Sequence, residues 1–342
     1  PMEQGIIGGA IVVFVYTAVG GMWAVAMTDF LQMLVIMIGL IVLLTVVMID
    51  VGGWSAISPH LNENTFRMLP LENTGEEWLN YLRAWMIIGV VDISAQTLCQ
   101  RVASAKDERV AQNSFYIASI GYLFFGMIPI FLGIIGSVTM PGLESPETII
   151  PALAIEHLHP LAIAIFVGAM LAAIMSSADS ALLASASVLA KNVLPLVKSD
   201  PSPKLSLLVA RCAIPVCGVF ALVVALEMQV VFDLMINANI LGLAAIIVPF
   251  IMGLWWKKAN RTGALSSMAA GISAWLITLY VAPELPADFI GLAASFITML
   301  LVTPLTQKFD PPRELQDVDG NPVEISNRLG TLPLFGRSSV RE

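Results

Sequence analysis

Long, uninterrupted apolar blocks dominate the pattern of this chain. Ile6 to Trp23, Phe30 to Ile49, Val110 to Met140, Pro160 to Ala178, Cys212 to Leu226 and Leu234 to Trp256 each lack a charged side chain. A helix needs about 20 such residues to cross a hydrocarbon core about 30 Å thick. With the weaker stretches added, nine spans are predicted, at 6–25, 28–49, 79–100, 114–137, 160–190, 205–226, 230–255, 262–281 and 287–305. A transmembrane β-barrel is excluded, because its strands alternate apolar and polar residues over about ten positions. The pattern reads as an all-α, multi-pass integral membrane protein.

Composition agrees with a lipid solvent. Of 342 residues, 57% are hydrophobic and 12% charged, against about 25% charged in soluble domains. Disorder, nucleic-acid binding and an ordinary cytosolic enzyme are excluded on that ground. The cations also take sides: of 17 Lys and Arg residues, all but Arg67 and Arg83 fall in alternate connections or in the tail. Cytoplasmic loops near span ends collect Lys and Arg, so a cytoplasmic C-terminus is expected in a plasma or bacterial inner membrane. The predicted layout is a transmembrane domain over 1–305 and a polar tail over 306–342. Nine spans then place Pro1 outside, and Pro1 is neither an initiator nor preceded by a signal n-region. An N-terminally truncated chain is expected.

Cys99, Cys212 and Cys217 lie in or beside apolar segments and read as small buried hydrophobes rather than a disulfide framework. His60, His157 and His159 fall in the outer loops and read as surface residues. No organic cofactor is indicated.

Charges inside spans persist mainly where they pair, face water or bind something. The candidates are Asp29, Asp92, Asp179 and Asp233. Asp29, after Thr28 at the start of the second span, can cap a helix or coordinate a cation. Asp233 reads as a solvated or capping group.

The fifth span carries the most chemistry. Positions 173, 176, 177, 180, 184 and 187 share one helical face and are Ala, Ser, Ser, Ser, Ala and Ser. Small residues on a face allow close helix packing in lipid. Alternatively, Ser176 and Ser177, with a nearby backbone carbonyl of a locally opened helix, offer neutral oxygens to a small hard cation that must be released each cycle. In the third span, Gly89 is followed by Asp92, Ser94, Gln96, Thr97 and Gln100. Polar groups wasted on lipid are costly, so this stretch is predicted to line a cavity or break from helix.

These segments resemble the sodium:solute symporter family. The resemblance is carried by Tyr16-Thr-Ala-Val-Gly-Gly through Thr28-Asp29-Phe-Leu-Gln32, by Gln100-Arg101-Val-Ala-Ser-Ala-Lys106, by Ala172-Ala-Ile-Met-Ser176-Ser177-Ala-Asp-Ser180 and by Gly253-Leu-Trp-Trp-Lys-Lys-Ala-Asn260-Arg-Thr-Gly263. It implies a five-plus-five inverted-repeat transporter bundle working by alternating access, of which the first four spans are missing. It further implies a sodium site at Ala173 (carbonyl), Ser176 and Ser177, a second cation at Asp29, and solute contacts at Ala95, Gln96 and Thr97, with Asp92 and Ser94 beside them.

Two specialised subgroups do not fit. Choline carriers of this family place Trp where this chain has Ala95, within an aromatic cage for a quaternary ammonium, and sugar carriers show Asn-Gln-Tyr where Ala95-Gln96-Thr97 stands. The expected partners are sodium as coupling ion, the lipid bilayer and a small polar solute such as an amino acid or organic acid. A proton-coupled carrier and a symporter-like sensor or receptor are the alternatives. An intramembrane enzyme is disfavoured, because no His or Lys lies inside a span to activate a nucleophile.

Overall fold

The computed structural model describes residues 2–143, 145–227 and 231–313, and among them every regular element is helical. In chain order the main helices are α1 (Met2–Asp50), α2 (Gly75–Trp85), α3 (Gln96–Ala103), α4 (Glu108–Phe125), α5 (Met127–Thr139), α6 (Ile149–His157), α7 (Pro160–Val188), α8 (Pro203–Glu227), α9 (Val231–Ala245), α10 (Ile247–Trp255), α11 (Arg261–Val281) and α12 (Ala287–Thr306). Seven helical stretches among the described residues are long and apolar enough to cross a membrane, and α9 with α10 adds a span bent by 45°.

The helix breaks have identifiable causes. As one straight rod, 49 residues of α1 would extend about 74 Å, but Gly21 has φ 59 and ψ −156 and joins two helices at a kink. The predicted boundary between the first two spans therefore moves from residues 26–27 to Gly21. Thr28 lies within the second half of α1, its hydroxyl donating to the carbonyls of Ala24 and Val25 at 3.0 Å each. The bend between α9 and α10 precedes Pro249, which lacks an N–H and crowds the Ala245 carbonyl one turn back. Pro129 stands in the same relation to Phe125, where α4 gives way to α5 at Gly126.

Helix starts follow local hydrogen-bond chemistry. Thr74 caps α2 by accepting from Glu77 N, Asp107 caps α4 by accepting from Val110 N, and Asn260 caps α11 by accepting from Gly263 N. Each satisfies an amide that the first turn leaves without a partner.

The chain divides into two compact units. The first comprises the described residues of Pro1–Leu71 and Gln96–Gln229. There Leu43, Val47, Leu132, Ile135, Leu153 and Phe166 form one core and Val13, Leu182, Ala186, Ala213 and Ile214 another. α8 meets α1 closely because Gly218 lies against the Phe14 ring, where a built Cβ would stand 2.2 Å from a ring carbon.

The second unit comprises the described residues of Glu72–Ala95 and Val230–Glu342. Ile87, Val91, Ile240, Leu243, Ile247 and Met299 form its core. Gly271 of α11 lies directly on the Ala244 carbonyl of α9, the close backbone approach that small residues allow in lipid. Arg83 of α2 and Asp288 of α12 form an ion pair at 2.5 Å with the Asp288 side chain fully buried. Many large apolar side chains, including Trp23, Phe124, Phe220 and Tyr280, point outward from the helices, a surface suited to lipid.

Of the predicted polar tail, residues 314–342 lie outside the described residues. Its beginning is tied to the bundle: Asn260 Nδ2 donates to Thr306 Oγ1 at 2.9 Å and to the Asp310 carbonyl at 2.8 Å, and Asp310 Oδ2 accepts from Thr262 N at 2.7 Å. Those two bonds from Thr262, through its amide and its hydroxyl, hold the Asp310 carboxyl below the usual carboxylate range. The Asp233 side chain, read above as a solvated or capping group, also lies outside the described residues.

Candidate functional site

The helical face predicted on the fifth span is present on α7, and in the first unit it meets α1 and α3. Ser176 Oγ donates to Asp29 Oδ1 of α1 in a short hydrogen bond. The other oxygen of that carboxylate, Oδ2, accepts from Arg101 Nη2 of α3 at 2.6 Å. The same nitrogen donates to Ser180 Oγ at 2.7 Å, and Ser180 donates onward to Asp179 Oδ1 at 3.2 Å. Tyr16 of α1 closes the series, its hydroxyl donating to Asp179 Oδ2 at 2.5 Å. Gln100 Nε2 reaches Ser187 Oγ at 2.8 Å, about two turns further along α7.

Helical spacing explains this set. Ser176, Asp179, Ser180 and Ser187 fall near one stripe of α7, since residues three and four apart are neighbours on a helix. Gln100 and Arg101 sit in the second turn of α3 and present adjacent donors to that stripe. Asp179 is fully buried and Asp29 retains 14% side-chain exposure, whereas Arg101 retains 43%. A small cleft opens beside the guanidinium, lined by Met22, Val25, Thr97, Gln100, Ser180 and Leu183.

The expected residues divide in how they are used. Ser176 and Asp29, assigned to separate cations in the sequence reading, are bonded to each other. Asp29 is not a cap, because it lies inside the helix with both oxygens engaged from α3 and α7. Ser177 is exposed, and its hydroxyl donates to the Ala173 carbonyl at 3.2 Å, so these two close a contact within their own helix. The expected local opening is absent at this point: α7 runs as regular helix from Pro160 to Val188 and passes into a π-helical turn only at Leu189–Val193.

The opened backbone lies in the third predicted span instead. Met86–Val90 is a π-helical turn, Val91–Ser94 a 3-10 turn, and Ala95 is extended with φ −64 and ψ 126 before α3 begins. Ser94 donates to the Val91 carbonyl at 2.9 Å, and the Ala95 amide to the Asp92 carbonyl at 3.0 Å. Asp92 and Gln96 are exposed, and Thr97 lines the cleft. Asp92, Ser94 and Ala95 belong to the second unit, Gln96 and Thr97 to the first.

Sequence reasoning missed Arg101 and Tyr16, both noticed only as parts of motifs. Asp179 stood among the intramembrane carboxylates without a role. The available signal was a charge count: two carboxylates in apolar surroundings call for cationic or hydroxyl partners.

The profile of the sodium:solute symporter family matches residues 1–271. The chain is similar to the sodium/pantothenate symporter of Haemophilus influenzae, at 27% identity over 284 residues, covering 80% of this chain and 58% of that protein. It is similar to the high affinity choline transporter 1 of Homo sapiens at 28% identity, covering 79% and 49%, and to the sodium/proline symporter of Staphylococcus aureus at 26% identity, covering 93% and 65%. Among solved structures, a Na+-coupled sialic acid symporter in a substrate-bound outward-open state shares the fold, with a TM-score of 0.71 at 23% identity over 91% of this chain and 68% of that one. The chain thus spans about half to two thirds of the length of the curated relatives it matches.

Proposed function

Because the chain belongs to the sodium:solute symporter family, we propose that it acts, within the whole protein, as a sodium-coupled symporter of a small polar solute by alternating access. The observation that carries this reading is the polar series linking α1, α3 and α7, in which Ser176 bonds Asp29 and Arg101 joins Asp29 to Ser180 beside an open cleft. Such a series inside an apolar bundle is expensive unless it serves ions or solute.

Sodium is assigned to the Ala173 carbonyl with Ser176 and Ser177. Ser177 already donates to that carbonyl, so its hydroxyl oxygen and the carbonyl oxygen face a common point. Turning the hydroxyl proton aside to admit a cation costs about one ordinary hydrogen bond, roughly 1 kcal/mol. Asp29 is the candidate for a second cation. Solute is assigned to Gln96 and Thr97, with Ala95, Ser94 and Asp92 on the adjoining broken segment, the kind of irregular backbone that can present polar groups to a polar molecule. Ala95 supplies no aromatic face, which favours an amino acid or organic acid over a quaternary ammonium.

Coupling is then a difference in affinity between outward and inward states, sodium stabilising the state that also binds solute. The protein performs no covalent chemistry in this reading, and its C-terminus is cytoplasmic. Proteoliposomes containing the protein, tested with labelled amino acids and organic acids, provide the test. Sodium-driven uptake that is lost in Ser176→Ala/Ser177→Ala supports the assignment; sodium-independent uptake indifferent to that pair of substitutions overturns it.

A proton-coupled carrier is the second reading, favoured by Asp179, a buried carboxyl whose hydrogen-bonded partners are the hydroxyls of Tyr16 and Ser180. Uptake driven by a pH gradient in sodium-free medium and lost in Asp179→Asn would favour it.

A further inference from the structure

Asp29 is already in contact with a cation. Arg101 Nη2 stands 2.6 Å from its Oδ2 and uses its second proton on Ser180 Oγ at 2.7 Å, so one nitrogen bridges the two oxygens that a monovalent ion near Asp29 would share. We propose that the Arg101 guanidinium is a tethered cation that competes with an alkali ion for Asp29 and Ser180, the two occupying that position alternately. The proposal rests on the sodium reading above and adds a control on the same site.

Three observations carry it. First, charge: the series holds two carboxyl groups, Asp29 and Asp179, and a single guanidinium, Arg101. Second, exclusion: an ion ligated by Asp29 beside the bound guanidinium would put two like charges about 4 Å apart in a weakly screened setting, where they repel strongly. Third, an exit: Arg101 is the most exposed charged member, 43% against 14% for Asp29, and its side chain borders the cleft. A long, flexible side chain can therefore leave Asp29 without moving a helix, carrying its charge into a water-accessible space.

The arrangement has a functional consequence. With Arg101 on Asp29, the carboxylate is neutralised from within and α3 is clipped to α1 and α7. With an ion there, Arg101 is released toward Thr97 and Gln100, beside the residues assigned to solute. Ion arrival and solute recognition are then linked through one side chain.

The test measures 22Na+ binding to the purified protein. Arg101→Gln removes the competitor and is expected to lower the sodium concentration for half-saturation roughly tenfold, and adding Asp29→Asn to it abolishes the gain. Unchanged or weaker sodium binding in Arg101→Gln overturns the proposal. If that variant does not fold, the wild-type protein labelled with 15N-arginine serves: the guanidinium resonance assigned to Arg101 by its loss in Arg101→Lys should shift with sodium and not with choline, and an unmoved signal at saturating sodium overturns it. The two failures are separable. Sodium binding unaffected by Ser176→Ala/Ser177→Ala removes the serine site, whereas the Arg101 competition is decided by the Arg101→Gln and Asp29→Asn comparison.

Discussion

The Tyr16 hydroxyl donates to Asp179 Oδ2 at 2.5 Å across 163 residues of chain. This bond fastens the first half of α1 to α7 and gives a fully buried carboxylate one of its hydroxyl donors. Removing the donor leaves that oxygen desolvated and unmatched. Tyr16→Phe should lower stability by about 1.5–3 kcal/mol, read by thermal unfolding in detergent. The loss should shrink when Asp179→Asn is combined with it, as a double-mutant cycle would report.

The two adjacent serines should differ in weight. Ser176 bonds to Asp29 on another helix, whereas Ser177 bonds within α7. Ser176→Ala loses both an ion-facing oxygen and a tie to Asp29, so it should raise the sodium requirement for uptake about tenfold or more, one such interaction being worth roughly 1.4 kcal/mol. Ser177→Ala should raise it less. Sodium-dependence curves for both single variants check the order.

Arg83 and Asp288 form a half-buried ion pair, the carboxylate fully enclosed and the Arg side chain 39% exposed. Truncating the cation strands the carboxylate, and Arg83→Ala should cost about 2–3 kcal/mol, toward the lower side of what breaking a buried pair costs because the Arg side is partly solvated. Asp288→Asn should be milder, and the pair Arg83→Ala with Asp288→Asn should recover part of the loss. Denaturation midpoints of the three proteins decide it.

Two glycine substitutions should move stability in opposite directions. A Cβ at Gly271 would stand 1.9 Å from the Ala244 carbonyl oxygen, and one at Gly168 meets nothing within 4 Å. Gly271→Ala forces α11 away from α9 and should cost about 1–3 kcal/mol or more. Gly168→Ala, in an open stretch of α7, should stabilise by about 0.4–1 kcal/mol through the unfolded chain. Parallel melts test both.

Asp310 supplies a pH dependence of known sign. Its carboxyl is held below its ordinary value of 3.8 by the Thr262 amide and hydroxyl. A depressed carboxylate contributes stability that is fully present above the ordinary value and is lost as pH falls through the lowered one. The melting temperature of the wild type relative to Asp310→Asn should therefore be constant at neutral pH and converge below 3.8. A difference that grows on acidification would contradict the assignment.

Much of the fold is written in the chain at the level of single helices. Continuous apolar runs marked the spans, and the polar interruption after Gly89 marked a span whose backbone opens, because both signals are local. What escaped depends on which helices become neighbours. Asp29 was legible as an unusual carboxylate, but Arg101 lies 72 residues away, and no periodicity announces that the two meet. Arg83 and Asp288, 205 residues apart, look like loop charges until α2 and α12 bring them together. Local preference also misled at the second span, where Thr28 and Asp29 have the composition of a helix start, yet Gly21 is where the backbone turns.

That turn leaves one position where the handedness of the residue, not its size, decides what is tolerated. Gly21 has φ 59, and a Cβ added there would meet nothing within 4 Å. The space is free, but an L side chain resists this backbone while its mirror image accepts it. Tyr16 lies before the turn and Asp29 after it, and both reach the same stretch of α7 at Asp179 and Ser176. A D-alanine at position 21 should keep both grips on α7, and an L-alanine should loosen them together.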